Sequence, residues 1–131
     1  MTLILRPATS ERRLGRVRDR RAQRLASLER VTSYRTTMGV TFLRPGTEPE
    51  AVLPAAARAA RARTTVEASD VAVVRGAARI TVRFTAEDDC AAVEVARGVH
   101  AAVVALAGVA SPDLARRYGP RWRPVGWSPR A

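Results

Sequence analysis

The chain has little of what most enzymes and metal-binding proteins use. Its 131 residues include one cysteine, Cys90, and one histidine, His100. A single cysteine cannot form an internal disulfide, and one cysteine with one histidine cannot complete a zinc site without carboxylates. The sequence contains no Gly-rich phosphate loop, Gly-x-Ser-x-Gly or His-Glu-x-x-His motif. We therefore expect no enzymatic activity, no cofactor and no bound metal.

Long apolar stretches and targeting segments are also missing. The most apolar run, residues 101–110, is far shorter than the roughly 20 residues of a membrane-spanning helix. The first seven residues are too short, and wrongly flanked, for a signal peptide. These features predict a cytoplasmic protein that does not partner a membrane.

Lysine is absent, so all 23 basic residues are arginines, and against 12 acidic residues they give a net charge of +11. The Ala-, Arg- and Val-rich composition is typical of a GC-rich genome, and we interpret the chain as bacterial. The charge itself attracts polyanions, so nucleic acid or an acidic protein surface is the expected partner.

Aromatic residues make up only 5% of a chain that is 47% hydrophobic. This composition excludes wholesale disorder, and the length of the chain fits one domain. Because alanine and valine supply most of the apolar volume, the core is expected to be built from small side chains that pack closely.

The clearest pattern runs from Gly76 to Gly108. Its first part alternates an apolar face with a polar one, which predicts a half-buried strand whose inward residues are Ala78, Ile80, Val82 and Phe84. A capping box formed by Thr85 and Asp88 then predicts a helix that begins near Ala86 and ends at Gly108. The buried stripe of that helix is expected to be Ala92, Ala96, Val99, Val103 and Leu106.

The other segments follow from similar signals. Residues 1–9 are expected to form a flexible tail and residues 10–31 a basic amphipathic helix. The predicted domain, residues 37–125, contains a strand ending at Arg44 and a second helix from Glu48 to Arg63, which starts with a capping box of Thr47 and Glu50. A strand over 64–75 follows, with a bulge or bend at Ser69-Asp70. Arg75-Gly76 is expected to turn the chain back into the next strand. After Gly108 we expect a helical turn at 111–117 that is capped by Ser111-Pro112-Asp113, an edge strand at 121–125, and a free C-terminal tail over 126–131. Met38, Val40 and Phe42 are predicted to face the core, as are Val52, Ala56, Ala57 and Ala60.

This β-α-β-β-α-β order predicts an α+β domain of ferredoxin-like arrangement, with a four-stranded antiparallel sheet and two helices on one face. The other face would then be open and would carry Thr37, Gly39, Thr41, Arg79, Thr81 and Arg83. RNA-recognition domains use such a face, but the run Arg75–Val82 matches only the basic, glycine, small and aliphatic positions of their motif. It lacks all three aromatic positions, so base stacking on this face is not expected.

The candidate nucleic-acid-binding residues are the arginines of the predicted N-terminal helix and of the open face, together with the arginine- and aromatic-rich C-terminal run: Arg12, Arg13, Arg16, Arg20, Arg79, Arg83, Arg116, Arg117, Arg121, Trp122 and Arg123. They predict a small basic protein that binds RNA or phosphate backbone without base specificity.

Three alternatives stay open. The chain could be an assembly protein, forming homo-oligomers through the open sheet face or joining a phage- or ribosome-associated particle through its terminal arms. The N-terminal helix could instead cover the open face, with Glu11, Asp19 and Glu29 as partners for its arginines. The third alternative is an effector-binding regulatory domain.

Overall fold

The computed structural model describes residues 31–129. The predicted tail (1–9) and all but the last residue of the predicted basic helix (10–31) lie outside the described residues, as do residues 130 and 131 of the predicted C-terminal tail.

The described chain is an α+β domain, as the sequence predicts. Its strands are β1 (Thr32–Leu43), β2 (Val66–Val74), β3 (Ala77–Ala86), β4 (Ala107–Tyr118) and β5 (Arg121–Pro124). Its helices are a 3₁₀ turn (Pro49–Ala51), α1 (Val52–Arg61) and α2 (Asp89–Val104). The strands form one sheet in the order β2-β3-β1-β4-β5, with every neighbouring pair antiparallel. The prediction of a four-stranded sheet is therefore wrong, and the fold is not a plain four-stranded ferredoxin-like domain.

The extra strand arises because Ser111-Pro112-Asp113 is a β-bulge and not the predicted helix cap. Ser111 has a φ of 50°, and the pairing with β1 shifts by one residue between Ala110 and Asp113. A bulge leaves one residue outside the ladder, and a proline, which has no N–H to donate, is tolerated there. The whole segment 107–118 thus continues as β4, and the predicted final strand becomes a fifth strand, β5.

Helix α2 begins and ends inside its predicted limits. Its N-cap is Asp88, whose Oδ1 accepts a hydrogen bond of 2.8 Å from the Ala91 N–H. Thr85, the other predicted member of the capping box, belongs to β3. Gly108, the predicted C-cap, belongs to β4, where a β-carbon would collide with the Phe42 ring and the Thr41 hydroxyl. This glycine therefore lets the Phe42 and Thr41 side chains lie close to the β4 backbone, and it does not end the helix.

Helix α1 also starts later than predicted. No side chain caps the 3₁₀ turn that precedes it, so Thr47 and Glu50 do not form the predicted capping box. Pro54 falls in the first turn of α1, where its missing N–H is not needed, and it does not interrupt the helix. The predicted buried side of α1 is confirmed: Val52, Ala56, Ala57 and Ala60.

The core lies between the two helices and one face of the sheet, and it is rich in small side chains as predicted. Ile80, Val82 and Phe84 are buried as expected from β3, and the Phe84 ring stacks on Tyr34 at a centroid separation of 6.0 Å. The buried stripe of α2 is Ala92, Val95, Ala96, Val99 and Val103. Leu106 lies beyond the end of that helix and is only partly buried.

Phe42 was predicted to be a core residue, but 59% of its surface is exposed. The reason is a register shift between Val40 and Leu43 in the pairing of β1 with β4. A shift of this kind breaks the strict alternation on which the prediction depended. The end of β1 therefore turns its largest side chain toward solvent.

The β2–β3 hairpin turns at Arg75 and Gly76, as predicted, and both residues have positive φ angles of 54° and 81°. This pair is typical of a type I′ turn, whose twist matches that of the strands. The bulge in β2 lies at Glu67, between Val66 and Ala68, and not at the predicted Ser69-Asp70. β2 is an edge strand and is exposed along its length after Val66.

Candidate nucleic-acid interface

A shallow cavity of about 540 Å³ is lined mainly by the face of the sheet opposite the helices, together with Leu114, Val125 and Trp127, which pack against the core. Its walls come from β1, β3, β4, β5 and the segment after β5: Arg35, Thr37, Arg79, Thr81, Asp113, Leu114, Ala115, Trp122, Pro124, Val125 and Trp127. The open-face residues predicted from the sequence, Thr37, Arg79 and Thr81, are thus confirmed to share one surface.

An aromatic side chain does lie on this face, although β1 and β3 supply none. Trp122 pairs with Arg117 across the β4–β5 ladder and so points to the same side of the sheet. Beside Arg117 on that side is the small Ala115, which is paired with Arg35. The Arg35 guanidinium lies 4.6 Å from the indole centroid.

Two further arginines contact the same ring. The guanidinium of Arg83 lies 5.4 Å, and that of Arg117 6.0 Å, from the Trp122 centroid. We call Arg35, Arg83, Arg117 and Trp122 the arginine–tryptophan cluster. A single cation–π contact at an exposed site contributes about 0.5–1 kcal/mol.

The sequence does not identify Arg35 as a site residue, and it predicts Trp122 on an edge strand without assigning it to the open face. The alternation of β1 contained a usable signal, because Arg35 and Thr37 lie between the buried residues Tyr34, Thr36 and Met38. Trp122 gave no comparable signal. Its position depends on the β4–β5 pairing, which appears only once 107–118 is recognised as a strand.

Arg35 and Arg83 stand directly opposite each other on β1 and β3. Like charges in this position repel each other. Arg83 is partly compensated, since its Nε donates to Glu67 Oε1 at 3.1 Å. Within residues 31–129 no ion pair of Arg35 is found, so this part of the face favours an added anion.

Arg79 forms the second ion pair of the open face. Its Nη2 lies 3.3 Å from Asp113 Oδ2 and 3.3 Å from Thr37 Oγ1. The Asp113 side chain is 67% exposed, and exposed pairs of this length contribute little stability. A ligand can therefore replace these contacts at small cost. Glu11, Asp19 and Glu29, the predicted partners for the open-face arginines if the N-terminal helix covers that face, lie outside the described residues.

Arg116 faces the helices and is not part of the open face. Its Nη1 donates to Asp89 Oδ1 at 3.1 Å, and the Tyr34 hydroxyl donates to the same oxygen at 2.7 Å. The hydrogen bond from Tyr34, and then that from Arg116, lower the pKa of Asp89. Burial, and then the bond to Asp89, raise the pKa of Tyr34. The three residues join β1, β4 and the first turn of α2.

Arg121 and Arg123, two further predicted residues of the C-terminal run, also lie on the side of the sheet away from the open face. Arg121 pairs with Tyr118, and Arg123 pairs with Arg116, so both share the side of the sheet that carries Arg116. The Arg123 guanidinium lies 5.9 Å from the Tyr118 ring. The run that looks continuous in sequence is thus divided by strand alternation, and it brings only Arg117 and Trp122 to the open face. Arg12, Arg13, Arg16 and Arg20 lie outside the described residues.

The segment after β5 packs on the domain where the sequence predicts a free tail. The Trp127 ring meets His100 of α2 edge to face at 6.2 Å. The carbonyl of Ser128 accepts a hydrogen bond of 3.3 Å from Arg97 Nε. Burial lowers the pKa of His100 and so favours its neutral form.

A second, apolar groove of about 390 Å³ lies near the other edge of the sheet and includes Val40, Leu43, Leu53 and Val71. In the part of the chain that the structure describes, no three His, Cys, Asp or Glu side chains are grouped so as to hold a metal ion. No helix within residues 31–129 is long and apolar enough to span a membrane.

Comparisons with protein-family models, with curated proteins and with solved structures found no match to this chain.

Proposed function

We propose that this protein binds nucleic acid, RNA or phosphate backbone in general, through the open face of its sheet. The observation that carries the proposal is the arginine–tryptophan cluster, in which three guanidinium groups lie within 6.0 Å of one indole. The proposal places the protein in the cytoplasm and treats its fold as a ferredoxin-like domain extended by β5.

The cluster combines the two interactions that bind a single strand. Guanidinium groups pair with phosphate oxygens, and their planes also stack on bases. An indole stacks on any base, which makes the contact tolerant of sequence. The net charge of +11 adds long-range attraction, so affinity should fall steeply with salt as counterions are released.

The other predicted arginines have a different part in this proposal. Arg121 and Arg123 are exposed and raise the potential of the β4–β5 end without touching the cavity. Four more arginines are part of the proposed binding surface only because they lie close together in the sequence: Arg12, Arg13, Arg16 and Arg20. Arg116 is expected to act as a structural residue because it bonds to Asp89.

Replacing Trp122 tests the proposal directly. Trp122→Ala should weaken binding of a fluorescein-labelled twelve-nucleotide RNA about 5- to 150-fold, because one stacking contact contributes about 1–3 kcal/mol. Fluorescence anisotropy at two salt concentrations measures both affinity and its salt dependence. Tyr118→Ala is the matched control, because Tyr118 is an exposed aromatic of the same hairpin that faces the other side. Failure of the native protein to bind at low salt, or an affinity that salt does not change, would contradict the proposal.

A second candidate function, self-assembly, is favoured by the edge strand β2. Val71, Val73 and Val74 are 51%, 75% and 49% exposed, and the apolar groove lies beside Val71. An exposed apolar edge strand readily pairs with another strand. The proposed partner is a second copy of the chain. Its β2 pairs antiparallel with β2 of the first copy about a two-fold axis.

Val73→Lys should abolish this pairing, because a charged side chain on an edge strand opposes strand addition. Light scattering coupled to size-exclusion chromatography should show a dimer for the native protein and a monomer for the variant. Ala101→Lys is the control, because it adds the same charge at an exposed position of α2. A native protein that is monomeric and free of nucleic acid excludes the second candidate. A dimer that survives Val73→Lys but dissociates with Trp122→Ala indicates pairing through the open face.

A further inference from the structure

We infer that Asp113 and Arg79 form a guanine-selective subsite within the open-face cavity. The inference rests on the proposed nucleic-acid binding and adds one base position at which sequence matters. The remainder of the strand would still be held through phosphate and stacking contacts.

The two side chains come from strands on either side of β1 and meet across it. Arg79 on β3 pairs with Gly39 on β1, and Asp113 on β4 pairs with Thr37 on β1. The Arg79 guanidinium crosses β1 beside Thr37, and its Nη2 lies 3.3 Å from Thr37 Oγ1 and 3.3 Å from Asp113 Oδ2. The result is a carboxylate and a guanidinium side by side on one polar surface that opens to solvent.

This pair presents two acceptor oxygens followed by a row of N–H donors. Guanine carries the complementary order along its edge, with donors at N2 and N1 followed by acceptors at O6 and N7. A guanine can therefore give two hydrogen bonds to Asp113 and accept two from Arg79. Cytosine matches with three bonds, whereas adenine and uracil alternate donors and acceptors and leave a partner unsatisfied.

The surroundings of the pair suit a base. Trp122 lines the same cavity, and a purine that displaces one of its guanidinium neighbours can stack on the ring. The volume of about 540 Å³ lies within the range of ligand sites, roughly 300–1,000 Å³. The hydrogen bond that the base must replace is long at 3.3 Å, so opening it sacrifices little.

The test compares four RNA heptamers that differ only at the central base, UUUGUUU, UUUAUUU, UUUCUUU and UUUUUUU, by fluorescence anisotropy at one salt concentration. The native protein should bind the guanine oligomer at least about fivefold more tightly than each of the others, as expected for one good two-bond base contact. Asp113→Asn should bring the four affinities to within about twofold, because the amide no longer offers two acceptors.

The readout is the ratio between oligomers, since removing a negative charge from this face can strengthen binding of all four alike. Glu48→Gln removes the same charge at an exposed position outside the cavity and should leave the guanine preference unchanged. Equal binding of all four oligomers, a preference for cytosine, or a guanine preference that survives Asp113→Asn would overturn the inference while leaving the proposed function standing. Binding of none of the oligomers would overturn both.

Discussion

Phe84→Ala is expected to lower the free energy of unfolding by about 3–5 kcal/mol. Phe84 is fully buried and stacks on Tyr34, and most other members of the core are alanine or valine. Small side chains cannot move far enough to fill the space of a lost ring, so the cavity should stay open. The low aromatic content of the chain therefore makes this residue unusually important to stability.

Urea denaturation followed by far-UV circular dichroism measures this loss. Val73→Ala is the control, because Val73 is 75% exposed, and its truncation should cost less than about 1 kcal/mol. If Phe84→Ala does not fold, Phe84→Leu, which keeps most of the volume, should fold with a smaller loss. A loss below about 1 kcal/mol in Phe84→Ala would show that the core repacks around the deletion.

Tyr34→Phe is expected to lower the free energy of unfolding by about 1–2 kcal/mol at neutral pH. The change removes only the hydroxyl that donates to Asp89 Oδ1 at 2.7 Å. A hydrogen bond to a charged group contributes about 1.5–3 kcal/mol, and the half-exposed Asp89 side chain reduces this value through solvent screening.

The difference between Tyr34→Phe and the native protein should depend on pH. The pKa of Asp89 is lowered in the folded state, so its ionised form stabilises the fold above its unfolded pKa of about 3.9. That contribution is lost as the pH falls through 3.9 toward the folded pKa. Urea denaturation between pH 7 and pH 3 should therefore show the two proteins converging in acid. Tyr118→Phe, at an exposed tyrosine, should show no such trend, and a gap that stays constant with pH would contradict the assignment.

The strand β3 illustrates what could be predicted from local pattern. Ile80, Val82 and Phe84 alternate with polar residues, and a strand with one buried face has no other register that hides all three. The inner side of α1 is a similar case, because helical spacing alone aligns Val52, Ala56 and Ala60. Both predictions concern a periodicity contained within a single element.

The errors occur where a non-local contact overrides a local signal. Ser111-Pro112-Asp113 has the composition of a helix start, yet pairing with β1 makes it a bulge in β4. Thr85 has the spacing of a capping residue, yet the ladder with β1 holds it in β3. Both segments pair with β1, which is distant in the chain, and the spacing of residues within each segment does not reveal that pairing.

By itself, the sequence determined the α+β class, the buried faces of β3 and α1, the small-residue core and the strongly basic charge, because each depends on composition or on the period of one element. Only the tertiary structure decided that a fifth strand forms, that Arg116 turns toward the helices, and that Arg35, Arg83 and Arg117 meet around Trp122. These positions depend on strand order and register, which are set by the packing of segments far apart in the chain. The surface first predicted to lack an aromatic side chain is, for that reason, the one on which Trp122 lies.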